Sequence, residues 1–181
     1  MKLATPLILG LCLIAHPCLA QSAPAPYGGQ QARPIKGLSA EDVAALLKGE
    51  GMGMAKPAEL NGYPGPRHVL DFAAQLKLTP DQRQKIQSVF GRMSAAAKSL
   101  GAELVERERG LDQLFQKGQI SADRLTEEAA GIGELQGRLR AVHLSAHLET
   151  RALLTADQIA VYQHLRGYDG PGVPMRHRHH G

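Results

Sequence analysis

Leu78-Thr79-Pro80-Asp81-Gln82 recurs 76 residues later as Leu154-Thr155-Ala156-Asp157-Gln158. Each copy spells a helix start. Thr79 and Thr155 stand at N-cap positions, where a hydroxyl accepts a hydrogen bond from an otherwise unpaired backbone N–H. Gln82 and Gln158, three residues on, can reach back to the N–H of the cap itself, which completes a reciprocal capping box. Pro80 suits the first helical position, Asp81 and Asp157 place negative charge at the positive end of the helix dipole, and Leu154 can staple onto Ile159. A single copy would be ordinary helix punctuation. Two copies predict that one scaffold uses the same device twice, with Leu78, Thr79, Gln82, Leu154, Thr155 and Gln158 as its structural determinants.

Downstream of the first copy the apolar residues fall into a seam. Ile86, Phe90, Met93, Ala97, Leu100, Leu104, Leu111 and Leu114 alternate in steps of four and three if Arg107 is counted as a polar intruder. Helix from Thr79 to Lys117 gives about 39 residues, nearly 60 Å at about 1.5 Å rise each. Gly91, Gly101 and Gly110 weaken such a helix and predict close approach or gentle bending. Gly118 ends it and Ser121 caps the next, with Ile120 and Leu125 placed as a staple. So short a turn sends the next helix back antiparallel, and Leu125, Ala129, Ile132, Leu135, Leu139, Val142, Ala146 and Leu153 form its facing stripe. The second copy then starts a short final helix with Ile159, Tyr162 and Leu165, ending by Gly167.

Upstream, Ser39 and Asp42 predict a capped short helix with Val43, Leu46 and Leu47 on one side, stopping near Gly49. A Gly/Pro-rich connector, 51–66, holds Met52, Met54 and Tyr63, and a second short helix is expected over 67–76. No strand pattern is present. The expected fold is all-α: a long antiparallel hairpin with short flanking helices at its open end, a four-helix cradle. Two long helices bury too little apolar surface alone, which predicts a homodimer.

The ends of the chain carry different information. Lys2, the apolar run Leu7 to Ala15, and small residues at Cys18 and Ala20 have the anatomy of a secretory signal cleaved after Ala20. Pro6, His16 and Pro17 interrupt it, and it is short of the roughly 20 apolar residues a membrane span needs. Cleavage would remove Cys12 and Cys18, the only cysteines, so disulfides and thiolate ligands are excluded from the mature chain. It would also remove Lys2, leaving 20 Lys and Arg against 17 Asp and Glu. That mild excess, interspersed with acidic residues, argues against nucleic-acid binding. With no tryptophan, three phenylalanines and four tyrosines, Leu and Ala must carry the packing, which suits helices meeting along narrow seams. Residues 21–38 are expected to be disordered, 67–168 to form the main helical domain, and 169–181 to form a flexible His-bearing tail.

The paired words, the hairpin between them and the export signal together resemble the LTxxQ family of exported helical proteins. This family includes the Spy/CpxP refolding chaperones and zinc-resistance or nickel/cobalt-sensing relatives. The resemblance covers roughly residues 64–168. It implies a dimeric helical cradle in the periplasm, no nucleotide, and either ATP-independent chaperoning or metal handling. Clients would be unfolded or misfolded envelope proteins; docking on a membrane sensor's periplasmic domain is a further possibility.

The residues themselves offer both chemistries. His143 and His147, four apart on the return helix, have the spacing at which two imidazoles share a metal, although seam-edge polar residues also repeat this way. Glu149 and His164 are candidate additional ligands. The metal sensors place their histidine pair in the first helix, where this chain offers only His68. In the tail, His177, His179 and His180 with Met175 can take Zn2+, Ni2+ or Cu2+ loosely. Met52 and Met54 are two thioethers suited to Cu(I), though such residues in a Gly-rich loop more often have no ligand. For client binding the relevant features are cations among apolar residues along the hairpin, including Arg83, Lys85, Arg92, Lys98, Arg138 and Arg140. Nothing supports catalysis: no Ser/His/Asp set and no phosphate loop after a strand are present, so no cofactor is required.

Overall fold

The computed structural model describes residues 25–168. The chain divides into two units, 1–31 and 32–181. Of the first, the described residues 25–31 hold a turn in which the Gly28 N–H donates to the Ala25 carbonyl at 2.9 Å. The second carries six α-helices among its described residues: α1 (Ala40–Lys48), α2 (Lys56–Glu59), α3 (Pro66–Asp71), α4 (Pro80–Gln116), α5 (Ala122–Ala152) and α6 (Ala156–Leu165). No strand occurs among the described residues, so the all-α expectation holds. The expected signal segment and the tail lie outside the described residues.

Side-chain caps start α1, α4, α5 and α6, whereas α2 and α3 begin without one, each with a proline in its first turn. Ser39 with Asp42, Thr79 with Gln82 and Thr155 with Gln158 all form complete capping boxes. Ser121 caps α5 more simply, accepting from the Arg124 N–H at 3.2 Å, because the residue at the reciprocating position is an arginine. At the other end of α4, Gly118 adopts φ 63°, and the Gln119 N–H donates to Leu114 O at 2.9 Å. This left-handed turn reverses the chain into α5.

The 37 residues of α4 extend about 56 Å at about 1.5 Å each, and α5 runs back along it. Arg107 meets Glu128 near the turn and Arg92 meets Glu149 near the open end, which fixes the antiparallel register. Between them Ala97, Leu100, Leu104, Ile132 and Leu139 form a core with Leu46 of α1. A second core at the open end joins Val69, Leu76, Ile86 and Tyr162. Burial of each Leu, Ile and Val among them stabilises the fold by about 1.5–3 kcal/mol.

Several details depart from the expected pattern. Helix α1 packs midway along the hairpin, against Ala97 and Leu100, instead of at the open end. Gly101 permits this, since a Cβ there would collide with the backbone of Leu46, whereas Gly91 and Gly110 face open space and have no such role. Leu46 is buried but Leu47 points outward. Ile35, inside the stretch expected to be disordered, is 3% exposed and belongs to the main core, with Leu38 packed beside it. The expected helix 67–76 stops at Asp71 and continues as turns to Lys77, which takes a left-handed φ of 49°. On α5, Leu125 is 41% exposed and Ala129 is exposed too, while Glu128 is buried between Arg107 and Arg124. The seam near the turn is therefore ionic where an apolar stripe was expected. A Cβ on Gly131 would stand 2.6 Å from Arg107 Nη2, so glycine makes room for the guanidinium.

Candidate functional site

At the open end the two repeated words are joined directly. Gln82 Oε1 accepts from its own cap's N–H, Thr79 N, at 3.1 Å, and Gln158 Oε1 accepts from Thr155 N at 3.0 Å. With both oxygens so engaged, each amide nitrogen faces the other word. Gln82 Nε2 donates to Gln158 Oε1 at 2.9 Å and to Leu153 O at 2.8 Å; Gln158 Nε2 donates to Gln82 Oε1 at 3.0 Å and to Leu76 O at 3.1 Å. Four of the six predicted motif residues, Thr79, Gln82, Thr155 and Gln158, thus form a brace between the start of α4 and the start of α6. Leu78 and Leu154 pack against the core beneath it.

The stretch 51–66, expected as a plain connector, is a strap fastened to α5. It contains the short α2. Arg151 donates to the Gly62 carbonyl and lays its guanidinium 4.6 Å from the Tyr63 ring centroid. His147 Nδ1 lies 2.7 Å from the Tyr63 carbonyl. A carbonyl only accepts, so Nδ1 carries the proton, and in the neutral ring Nε2 keeps its lone pair. Gly65 must be glycine, because a Cβ would come 2.9 Å from His147 Cε1.

One buried carboxylate ties the strap to α6. Glu59 accepts from Tyr162 Oη at 2.6 Å and, through its other oxygen, from the Gly65 N–H at 3.3 Å. Arg166 Nε stands 3.2 Å from the first oxygen, an ion pair whose direction does not make it a hydrogen bond, and His147 Nδ1 is 3.7 Å from the second. Desolvation, then the bond to Glu59, pushes the Tyr162 phenol far above its ordinary range, so it remains a donor.

Beside this network lies a cleft of about 640 Å³ whose walls include Glu50, Met52, His68, Met93, His143 and His147. His143 is 4% exposed, and its Nε2 is buried without a hydrogen-bond partner. Desolvation, reinforced by the nearby His147, holds the His143 imidazole below its usual range; burial, then Arg166, does the same for His68. These rings accordingly favour the neutral, ligand-competent form.

The predicted ligands separate into distinct places. His143 and His147 do share one face of α5, and His68 joins their cleft from α3. Glu149 does not: it is paired with Arg92 across the hairpin. His164 is exposed in the last turn of α6. Met54 packs against the main core, so it does not pair with Met52 as a thioether site. His177, His179 and His180, with Met175, lie outside the described residues. Among the described residues no group of three or more His, Cys, Asp or Glu is arranged to hold a metal ion. Of the cations singled out along the hairpin, Arg83, Lys85, Arg92, Lys98, Arg138 and Arg140 are all exposed.

Glu59, Tyr63, Gly65, Met93 and Arg166 were not recognised as site residues from the sequence. Met93 reads as a seam residue, and nothing periodic marks the strap. The one available signal was Glu59 itself, a carboxylate in a stretch whose only other charge is Lys56.

No helix among the described residues is long and apolar enough to cross a membrane. Searches of curated proteins and of solved structures find no match to the chain. A family model described as LTXXQ motif family protein matches residues 66–166, more than half of the 181 residues, and includes both repeated words and the brace they form. The chain belongs to the LTXXQ motif family.

Proposed function

We propose that this protein is a periplasmic, ATP-independent chaperone or envelope-stress protective protein, active as a homodimer and acting by binding without catalysis. The observation that carries this reading is the α5–α6 junction. A shallow depression of about 640 Å³ is lined there by Leu148, Leu154, Ile159 and three alanines, with Arg151 at its side. Leu148 is 57% exposed. Apolar side chains left in water beside a cation suit brief capture of unfolded chains: charge speeds encounter, and limited apolar area permits release. An unfolded envelope protein offers both complements; a membrane sensor's periplasmic domain is a second class of partner.

The test is suppression of aggregation of a chemically unfolded client by the mature chain. Protection at equimolar dimer is expected, and Leu148→Asp should weaken it severalfold with helical content unchanged. No protection by the unmodified chain would overturn the proposal.

The cleft favours a second reading, metal binding in heavy-metal resistance or sensing. Two buried imidazoles one turn apart support it. Titration calorimetry with Zn2+, Ni2+ and Cu2+, repeated for the His143→Ala/His147→Ala chain and after deletion of residues 175–181, separates the helical pair from the tail. Stoichiometric binding lost with the pair supports this reading; binding lost only with the tail removes it.

A further inference from the structure

Met52 takes a left-handed φ of 45° between Gly51 and Gly53. Gly53 after it is left-handed as well, at φ 77°, so the turn uses two such residues and only one of them is a glycine; a side chain held at the other points to a use for it. That use is visible in what surrounds it. A Cβ on Gly51 would lie 3.7 Å from His143 Nδ1, so the loop bearing Met52 passes directly over the His143 ring. Met93 approaches from α4: it lines a hollow with Val142, Ser145 and Ala146, the level of α5 that carries His143 and His147, and it also lines the cleft. Two thioethers and two imidazoles therefore share one cleft, and His143 Nε2 is buried and unpartnered.

We infer that Met52, Met93, His143 and His147 form a site for a soft monovalent cation of the Cu(I) or Ag(I) type, with the Gly51–Gly53 loop as one of its walls. The inference rests on the second reading above and deepens it by naming the ion class. Thioether sulfur is a poor ligand for Zn2+ or Ni2+ and a good one for Cu(I), so two methionines beside a histidine pair shift preference toward the soft ion. Neutral side chains suffice for a single positive charge, whereas a carboxylate among the ligands would favour a divalent ion. Of the two carboxylates that line the cleft, Glu59 is committed to Tyr162 and Gly65, and Glu50 is exposed to solvent. Residues 50–59 precede the segment matched by the family model, so Met52 is a contribution of this chain's own strap.

The experiment uses the mature full-length chain with Cu(I) under anaerobic reducing conditions, in competition with a chromogenic Cu(I) chelator, and with Ag(I) as a redox-inert check. Zn2+ is titrated in parallel. Wild-type chain is expected to take up one Cu(I) that survives deletion of residues 175–181, with both methionine methyl resonances shifting. Met52→Leu/Met93→Leu, which conserves volume, should weaken Cu(I) by roughly tenfold or more and leave Zn2+ affinity unchanged. His143→Gln should weaken both ions. Cu(I) affinity indifferent to the methionine pair overturns the inference even if Zn2+ still binds the histidines, in which case the second reading stands. Absence of tail-independent binding by any of the three ions in a helical protein overturns both.

Discussion

The two ends of the α4–α5 hairpin are held by different kinds of interaction. At the turn the forces are local: a left-handed Gly118, a single Ser121 cap, and Glu128 shared by Arg107 and by Arg124 one turn before it. At the open end they are distant in sequence. Gln82 reaches Gln158 across 76 residues, and Tyr162 reaches Glu59 across 103. A turn of a few residues needs little to fix it, because the chain itself holds the helices together. The far ends have no such tether, and their four segments must be joined by side chains. Loss of a contact should therefore be additive at the turn and cooperative at the open end.

The largest break of this contrast is Tyr162→Ala. It empties a fully buried site in the second core and removes the phenol from Glu59; it should cost about 3–5 kcal/mol in urea unfolding. Tyr162→Phe, keeping the ring, should cost about 1–3 kcal/mol, so the pair separates packing from the hydrogen bond. Equal losses in the two variants would show that packing contributes little there.

Next come Gln82→Ala and Gln158→Ala. Each removes half of the brace and should cost about 1–2 kcal/mol, with a coupling of about 1 kcal/mol in the double-mutant cycle. Strict additivity would reduce the two words to independent helix caps.

Acidification sharpens the comparison without mutation. Burial holds His143 and His68 below the usual histidine range, so the unfolded chain binds protons more readily than the folded one below the ordinary value of about 6.5. Their contribution is complete above that pH and is lost as pH falls through the lowered folded values. Hydrogen exchange at pH 5, corrected for intrinsic rates, should show opening of the strap and α6 before the turn end of the hairpin. Uniform loosening along both helices would contradict this.

The smallest effect is expected at the turn. Ser121→Ala should cost about 0.5–1 kcal/mol and add simply to any of the open-end substitutions. A measurable coupling to Gln82→Ala would mean that the two ends communicate along the hairpin.

Much of the architecture was legible because its causes are local. Capping boxes at Ser39, Thr79 and Thr155 each depend on two residues three apart, and the structure realises all three. The seam was also readable through Ile86, Ala97, Leu100 and Leu104, since helical periodicity determines which side is buried. Near the turn the same reasoning failed at Leu125 and Ala129. There Arg107 enters the seam, so the facing position goes to Glu128, and only Gly131 leaves room for it. The candidate site was half legible. The spacing of His143 and His147 placed both on one face of α5, but Glu59, Met52 and Met93 come from other segments with no period to mark them.

The sequence by itself determined where helices begin, where the long one turns back, and that two identical caps stand at the same end, because each of these depends on neighbours within a turn or two of helix. Only the tertiary structure decided that the two glutamines grip each other, that a Gly/Pro-rich strap is pinned to α5 through its backbone carbonyls, and that two methionines share a cleft with two histidines. Those outcomes rest on contacts between residues tens of positions apart, and on carbonyl groups that every residue carries and no side-chain pattern reveals.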